Sequence, residues 1–195
     1  LAFLEREGVE TRYCVRKPGR RTSAVILTIQ PPDRFPLTFY RDNCADIELS
    51  IDDVLAAPVT SSRVVFLSGT GVSREPSRSA TFLAAERARA AGATVIVDID
   101  HRADQWHDPR AFGPTLRGLL RLATLAVGTE EEVRAAADTD DAEEGAARLL
   151  ETGIQALVLK RGARGSTVLR PGAKPVDVAP FPIEVLNVLG AGDAF

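Results

Sequence analysis

The residues best suited to chemistry stand at 187–195, Asn-Val-Leu-Gly-Ala-Gly-Asp-Ala-Phe. Gly190 and Gly192, one residue apart, let the backbone turn tightly with nothing projecting to keep a ligand away. The Ala194-Phe195 that follows reads as the first turn of a helix, and the free N–H groups at a helix start make an anion site. Asp193 is the odd member. A phosphate would repel its carboxylate unless that carboxylate takes a proton from the group attacking the phosphate. An anion hole with a base at its lip is what phosphoryl transfer to an alcohol requires. On these residues alone, a plain glycine turn with Asp193 as helix N-cap is the better account. A second passage, Lys160-Arg-Gly-Ala-Arg-Gly-Ser166, pairs cations with Gly162 and Gly165, which permit close backbone approach to phosphates. It reads equally as a glycine-rich hairpin with solvated arginines. It is not a Walker loop, which needs Gly-Lys-Ser/Thr.

Both passages need a frame. Residues 1–7 read as the end of an amphipathic helix stopped by Gly8. Segments 9–15, 22–29 and 36–41 read as closely spaced strands, with turns at Pro18-Gly19 and Pro31-Pro32-Asp33, a small antiparallel sheet or flap. From residue 50 the texture changes. A serine-capped helix at 50–57 precedes a buried strand at 63–68 that ends in Gly69-Thr70-Gly71. Helices follow at 77–91, 109–121, 130–137 and 141–152, alternating with strands at 94–100, 124–127 and 156–160. Two short strands flank Pro171-Gly172. Such alternation predicts an α/β fold, a mostly parallel sheet flanked by helices, with the flap at 9–46 and the core at 1–8 and 47–195. Ligands in such sheets lie beyond the carboxyl ends of the strands. That places Ser68-Gly69, 98–102 and 160–165 on one rim.

The 195 residues carry a net charge of −3, which gives no basic footprint for nucleic acid. No apolar run is long enough to span a bilayer and no signal peptide opens the chain, so no membrane role is expected. Two cysteines make no disulfide framework, and the composition reads cytoplasmic. There is no methionine, and the chain opens and closes within helices, so it reads as the interior of a longer protein, incomplete at both ends.

Lys160-x-Gly162-x-x-Gly165 at a strand end, with Gly190-Ala-Gly-Asp193 downstream, resembles the ribokinase-like (PfkB) sugar kinases, and the likeness reaches back to Gly8-Val9. The resemblance implies that Asp193 is the base activating a sugar hydroxyl, beside an anion hole of Gly190, Ala191 and Gly192 amides. It puts Lys160, Gly162 and Gly165 on the side of ATP and implies magnesium. The family's Asn-x-x-Glu aligns with residues 129–132. Glu132 keeps the acidic position and would act on the metal through water, while Thr129 replaces the amide. Thr-x-x-Glu is also a capping box for the next helix. Asn187 stands where the family commonly has Asp, in a segment tied to a monovalent cation, and leaves that requirement open. Flaps in this family often pair between subunits, which implies a homodimer.

Two arginines bear on the acceptor. Arg41 ends the Phe39-Tyr40-Arg41 strand and Arg102 follows a buried strand on the rim. A guanidinium grips a carboxylate in two-pronged fashion, so the pair favours an acidic sugar. The alternative is that one or both are surface charges, or pair with Asp42 or Asp104. Residues 35–46 and 68–73 and the terminal motif resemble the 5-dehydro-2-deoxygluconokinase subgroup, which implies ATP-dependent phosphorylation of a keto-deoxy sugar acid, with Phe39, Arg41 and Arg102 at the substrate. The same arginines resemble those of 2-dehydro-3-deoxygluconate kinases. Fructokinase or ribokinase activity, or a non-catalytic binding regulator, are the further alternatives. Trp106 reads as packing, His101 and His107 as loop hydrogen-bonders.

Overall fold

The computed structural model describes residues 1–30, 36–183 and 190–195, Asp193 by its backbone alone. Helix α1 (Ala2–Arg6) stops just before Gly8, which takes a φ of +80°. Strands β1 (Ala24–Leu27) and β2 (Leu37–Tyr40) pair antiparallel as a two-stranded sheet of their own, Ala24 opposite Tyr40 and Leu27 opposite Leu37. The strand expected at 9–15 does not form. Cys14 N–H closes a turn on Thr11 O, the Thr11 hydroxyl donates to Glu5 at 2.6 Å, and Arg12 folds back onto Glu10. An alternating segment becomes a strand only where a neighbour offers a ladder; here local polar bonds win. The turn expected at 31–33 lies outside the described residues.

Helix α2 (Ile51–Ala56) starts with a reciprocal cap in which the Ser50 hydroxyl accepts from Asp53 N–H and the Asp53 carboxylate accepts from Ser50 N–H. The main sheet follows: β3 (Val64–Ser68), helix α3 (Ser77–Ala90), β4 (Thr94–Asp98), helix α4 (Phe112–Leu120), β5 (Leu125–Thr129), helices α5 (Glu130–Ala137) and α6 (Ala142–Leu150), and β6 (Ala156–Lys160). These four strands are parallel and stand side by side in chain order. With right-handed crossovers, that order carries every connecting helix to the same face. The larger of two buried clusters agrees: Val97, Ala126 and Leu157 of the sheet pack with Ala85, Leu119, Val133 and Leu149 of the helices. The opposite face, with Ile96, Val127 and Val158, is half-buried. The strand at 63–68, expected to be buried, is instead the first of the sheet, with Val64 53% and Phe66 61% exposed. An apolar run signals burial only when something covers both sides.

After β6 the connection is too short for a crossover, so β7 (Ser166–Leu169) returns antiparallel, followed by antiparallel β8 (Val176–Val178). Gly165, at φ +81°, makes this return feasible. A Cβ there would lie 2.0 Å from Val178 O. The chain closes with α7 (Ala191–Ala194).

Candidate active site

Ser68, Asp98, Thr129 and Lys160 are the last residues of the four parallel strands, and the register sets Ser68 beside Asp98 and Thr129 beside Lys160. The rim expected from the sequence is therefore present. Lys160 Nζ lies 3.5 Å from Asp98 Oδ2, both side chains mostly buried. The glycine turn arrives on its other side, where a Cβ built on Gly192 would stand 3.7 Å from Lys160 Nζ. Gly190 opens α7 in the left-handed conformation at φ +78°, and Ala194 N–H closes the turn on Gly190 O at 2.9 Å. Amides ahead of that first bond have no intrahelical acceptor. So Gly190, Ala191 and Gly192 make the helix start expected of them, next to a cation. Asn187 lies outside the described residues.

Burial pushes the Asp98 carboxyl above the usual carboxylate range; the Lys160 ammonium opposes the rise, while Glu132 and Asp100 add to it. At 3.5 Å the ion pair is too long to offset the lost hydration.

Residues 160–165 form the hairpin, Arg161 N–H bonding Gly165 O at 2.8 Å, with Gly162 at φ +56°. Glu130 claims the neighbouring cations: Arg161 Nε is 3.4 Å from its Oε1, and Arg164 Nη2 bonds its Oε2. Of the cations in this passage, Lys160 is the one facing the glycine turn. Thr129 and Glu132 form the capping box, Glu132 N–H to Thr129 Oγ1 at 3.2 Å and Thr129 N–H to Glu132 Oε2 at 2.7 Å. That bond leaves Glu132 Oε1 without a hydrogen bond among the described residues. The described residues contain no group of three His, Cys, Asp or Glu side chains placed to hold a metal. A lone carboxylate oxygen still suits magnesium, which keeps several of its waters.

Arg41 and Arg102 reach the same strand by different routes. Arg102 stacks its guanidinium 5.1 Å from the Phe39 ring centre and pairs with Asp100 at 3.1 Å. Arg41 pairs with Asp46. Each therefore has an acidic neighbour, but Asp46 and Asp100 rather than the Asp42 or Asp104 that the sequence suggested. Phe39 and Arg41 line a cavity of about 190 Å³ beneath the flap, shared with Asp42, Arg74, Asp104 and Gln105; Arg102 does not line it.

Asp100 ties this region to the rim, where the sequence placed it among residues 98–102 without giving it a role. Its carboxylate accepts from Ser68 Oγ at 2.9 Å and from Thr70 Oγ1, and pairs with Arg102. It does so from φ +39°, a conformation that Asp tolerates better than most residues. The available signal was an Asp two residues past a strand end, facing a Ser-Gly-Thr turn. Trp106 is packing, as expected, 6% exposed and edge-on to Phe112 at 5.5 Å.

His101 stacks on Phe112, centres 4.2 Å apart, and makes no hydrogen bond among the described residues, unlike the role expected for it. Burial holds its imidazole below the ordinary 6.5, against Glu131 and Glu132, which pull it upward. The unfolded chain then binds the extra proton more readily, so this contribution is complete above 6.5 and is lost as pH falls below it. Urea midpoints measured at about pH 7.5 and about pH 5.5 should drop more in the wild type than in His101→Gln.

The pfkB family carbohydrate kinase profile matches residues 1–195. A 5-dehydro-2-deoxygluconokinase of Clostridium beijerinckii is 29% identical over 201 residues, spanning 99% of this chain and 59% of that protein. One from Shouchella clausii is 28% identical over 197 residues, spanning 100% and 60%. The chain thus spans about 60% of the length of these relatives. The crystal structure of a fructokinase double mutant from Vibrio cholerae O395, bound to fructose, ADP and potassium, superposes with a TM-score of 0.88 at 26% identity. It covers 99% of this chain and 61% of that one. No helix among the described residues is long and apolar enough to cross a membrane.

Proposed function

Because the chain belongs to the pfkB family of carbohydrate kinases, we propose that it carries the phosphoryl-transfer rim of an ATP-dependent kinase for an acidic keto-deoxy sugar, 5-dehydro-2-deoxygluconate. One observation carries this reading: the Lys160 ammonium stands between the Asp98 carboxylate, 3.5 Å away, and the glycine turn that opens α7. A phosphate entering the turn would meet free amides and a cation.

Asp193 takes the proton of the acceptor hydroxyl. The hydroxyl oxygen bonds to the γ-phosphorus as the bond to the ADP oxygen breaks, and ADP leaves with that electron pair. The Gly190, Ala191 and Gly192 amides stabilise charge on the transferring group. Gly162 and Gly165 let the hairpin approach the nucleotide. Magnesium, when bound, supplies charge neutralisation between the phosphates, and Glu132 Oε1 would hold it through water. Arg41 and Arg102 would hold the acidic end of the sugar, Arg102 from its place over the Phe39 ring. Asn187 falls in the segment that the resemblance ties to a monovalent cation, whose role here stays part of the proposal.

The exposed Val25, Ile26 and Tyr40 of the flap suit a paired flap in a homodimer. A cytoplasmic setting suits two free cysteines and a reaction that consumes ATP. A second reading is a neutral keto-sugar substrate, favoured by the likeness to the fructose-bound fructokinase. The test is kcat/KM of the full-length gene product on 5-dehydro-2-deoxygluconate, 2-dehydro-3-deoxygluconate, fructose and ribose. The 5-dehydro acid should lead the series. Preference for fructose or ribose would remove the arginine argument.

A further inference from the structure

The cavity beneath the flap contains a guanidinium that no resemblance points to. Arg74 follows the Gly69–Val72 turn at the end of β3, and its Nε donates to Gln105 O at 3.2 Å. That bond fixes the plane of the group and uses one of its five donors. Its two terminal nitrogens meet no protein acceptor among the described residues, although Asp42 and Asp104 line the same cavity. Arg41 faces it from the flap, with only one terminal nitrogen in its pair with Asp46. Arg102, by contrast, lies over the Phe39 ring and does not line the space.

The acceptors are as informative as the donors. Gln105 is 7% exposed, and its Oε1 has no hydrogen-bond partner, an expensive omission for a buried amide. Asp42 and Asp104 form no ion pair among the described residues. Two forked cations, unpaired acceptors and an aromatic wall in about 190 Å³ suit a small molecule that bears one carboxylate and several hydroxyls. They do not suit a nucleotide, which is larger, or an apolar ligand.

We propose that Arg74 is a specificity-determining residue: together with Arg41 it grips the carboxylate of the acceptor sugar, in a cavity that Asp42 and Asp104 also line. Arg102 then supports the clamp from behind Phe39 as well as from the rim. The inference rests on the sugar-acid reading above and deepens it. It assigns the cavity between flap and β3 loop to the acidic end of the substrate.

The experiment uses the full-length gene product with Arg74→Ala and Arg74→Gln, each assayed on 5-dehydro-2-deoxygluconate and on fructose. A charge-assisted pair predicts that the ratio of kcat/KM, sugar acid over fructose, falls roughly 10- to 100-fold in both variants. KM for the sugar acid should rise while KM for ATP holds. Arg74→Gln keeps an amide donor for Gln105 O, so it reports on charge even if the alanine variant folds poorly. An unchanged ratio, or equal losses on both sugars, overturns the clamp while leaving a wild-type preference for the acid standing. A wild type that phosphorylates fructose but not the acid overturns the sugar-acid reading itself, and the clamp falls with it.

Discussion

Asp193→Asn should lower sugar phosphorylation by about 10²- to 10⁴-fold, the usual contribution of a positioned general base. The change keeps shape and removes the proton acceptor, so helix α7 and the glycine turn should persist. ATP affinity should stay level or improve, since the substitution deletes a negative charge next to a phosphate site. Steady-state kinetics and nucleotide titration of the same protein separate the two effects. Turnover within a few-fold of wild type would take Asp193 out of the chemistry. The turn would then be no more than a phosphate cradle, with Lys160 its principal charge.

The second large effect is on stability. Phe112 opens α4 at 1% exposure, with His101 stacked on one side and Trp106 edge-on at another. It therefore fastens the loop that follows β4, and with it Asp100 and Arg102, to the helical layer. Phe112→Ala should cost about 3–5 kcal/mol, the sum of lost transfer energy and the cavity left behind. For a domain of this size that corresponds to a melting point lower by roughly 10 °C. The sugar KM should rise as well, because Arg102 loses the anchor of its loop. A drop of only a degree or two would mean that the loop is held by its polar contacts, chiefly Asp100 to Ser68 and Thr70.

What was legible in the sequence was what is decided locally. The caps at Ser50 and Thr129 formed because three-residue hydrogen-bond loops depend on little else. Gly8, Gly165 and Gly190 take positive φ at turns read from glycine alone. The β-α alternation fixed the parallel order, since short right-handed crossovers leave few arrangements. The misreadings share a cause, dependence on a neighbour. Residues 9–15 alternate like a strand, yet Glu5 and Glu10 captured Thr11 and Arg12 before any ladder could. Val64 and Phe66 belong to an apolar run, and what covers them is decided by neighbours outside it. Within the site, Lys160 and the terminal glycines were each visible. Their approach was not, because it depends on where a segment thirty positions onward returns to the rim. Arg74 carried no local signal at all; its meaning comes from the flap opposite it.

The central claim is that this rim moves the γ-phosphoryl of ATP onto a sugar hydroxyl. A phosphorus NMR time course on the full-length gene product with ATP, magnesium and 5-dehydro-2-deoxygluconate reads that transfer directly. The γ-phosphate resonance should decay into a sugar phosphomonoester in step with ADP. ATP bound but unconsumed, or ADP accompanied by inorganic phosphate alone, would contradict it.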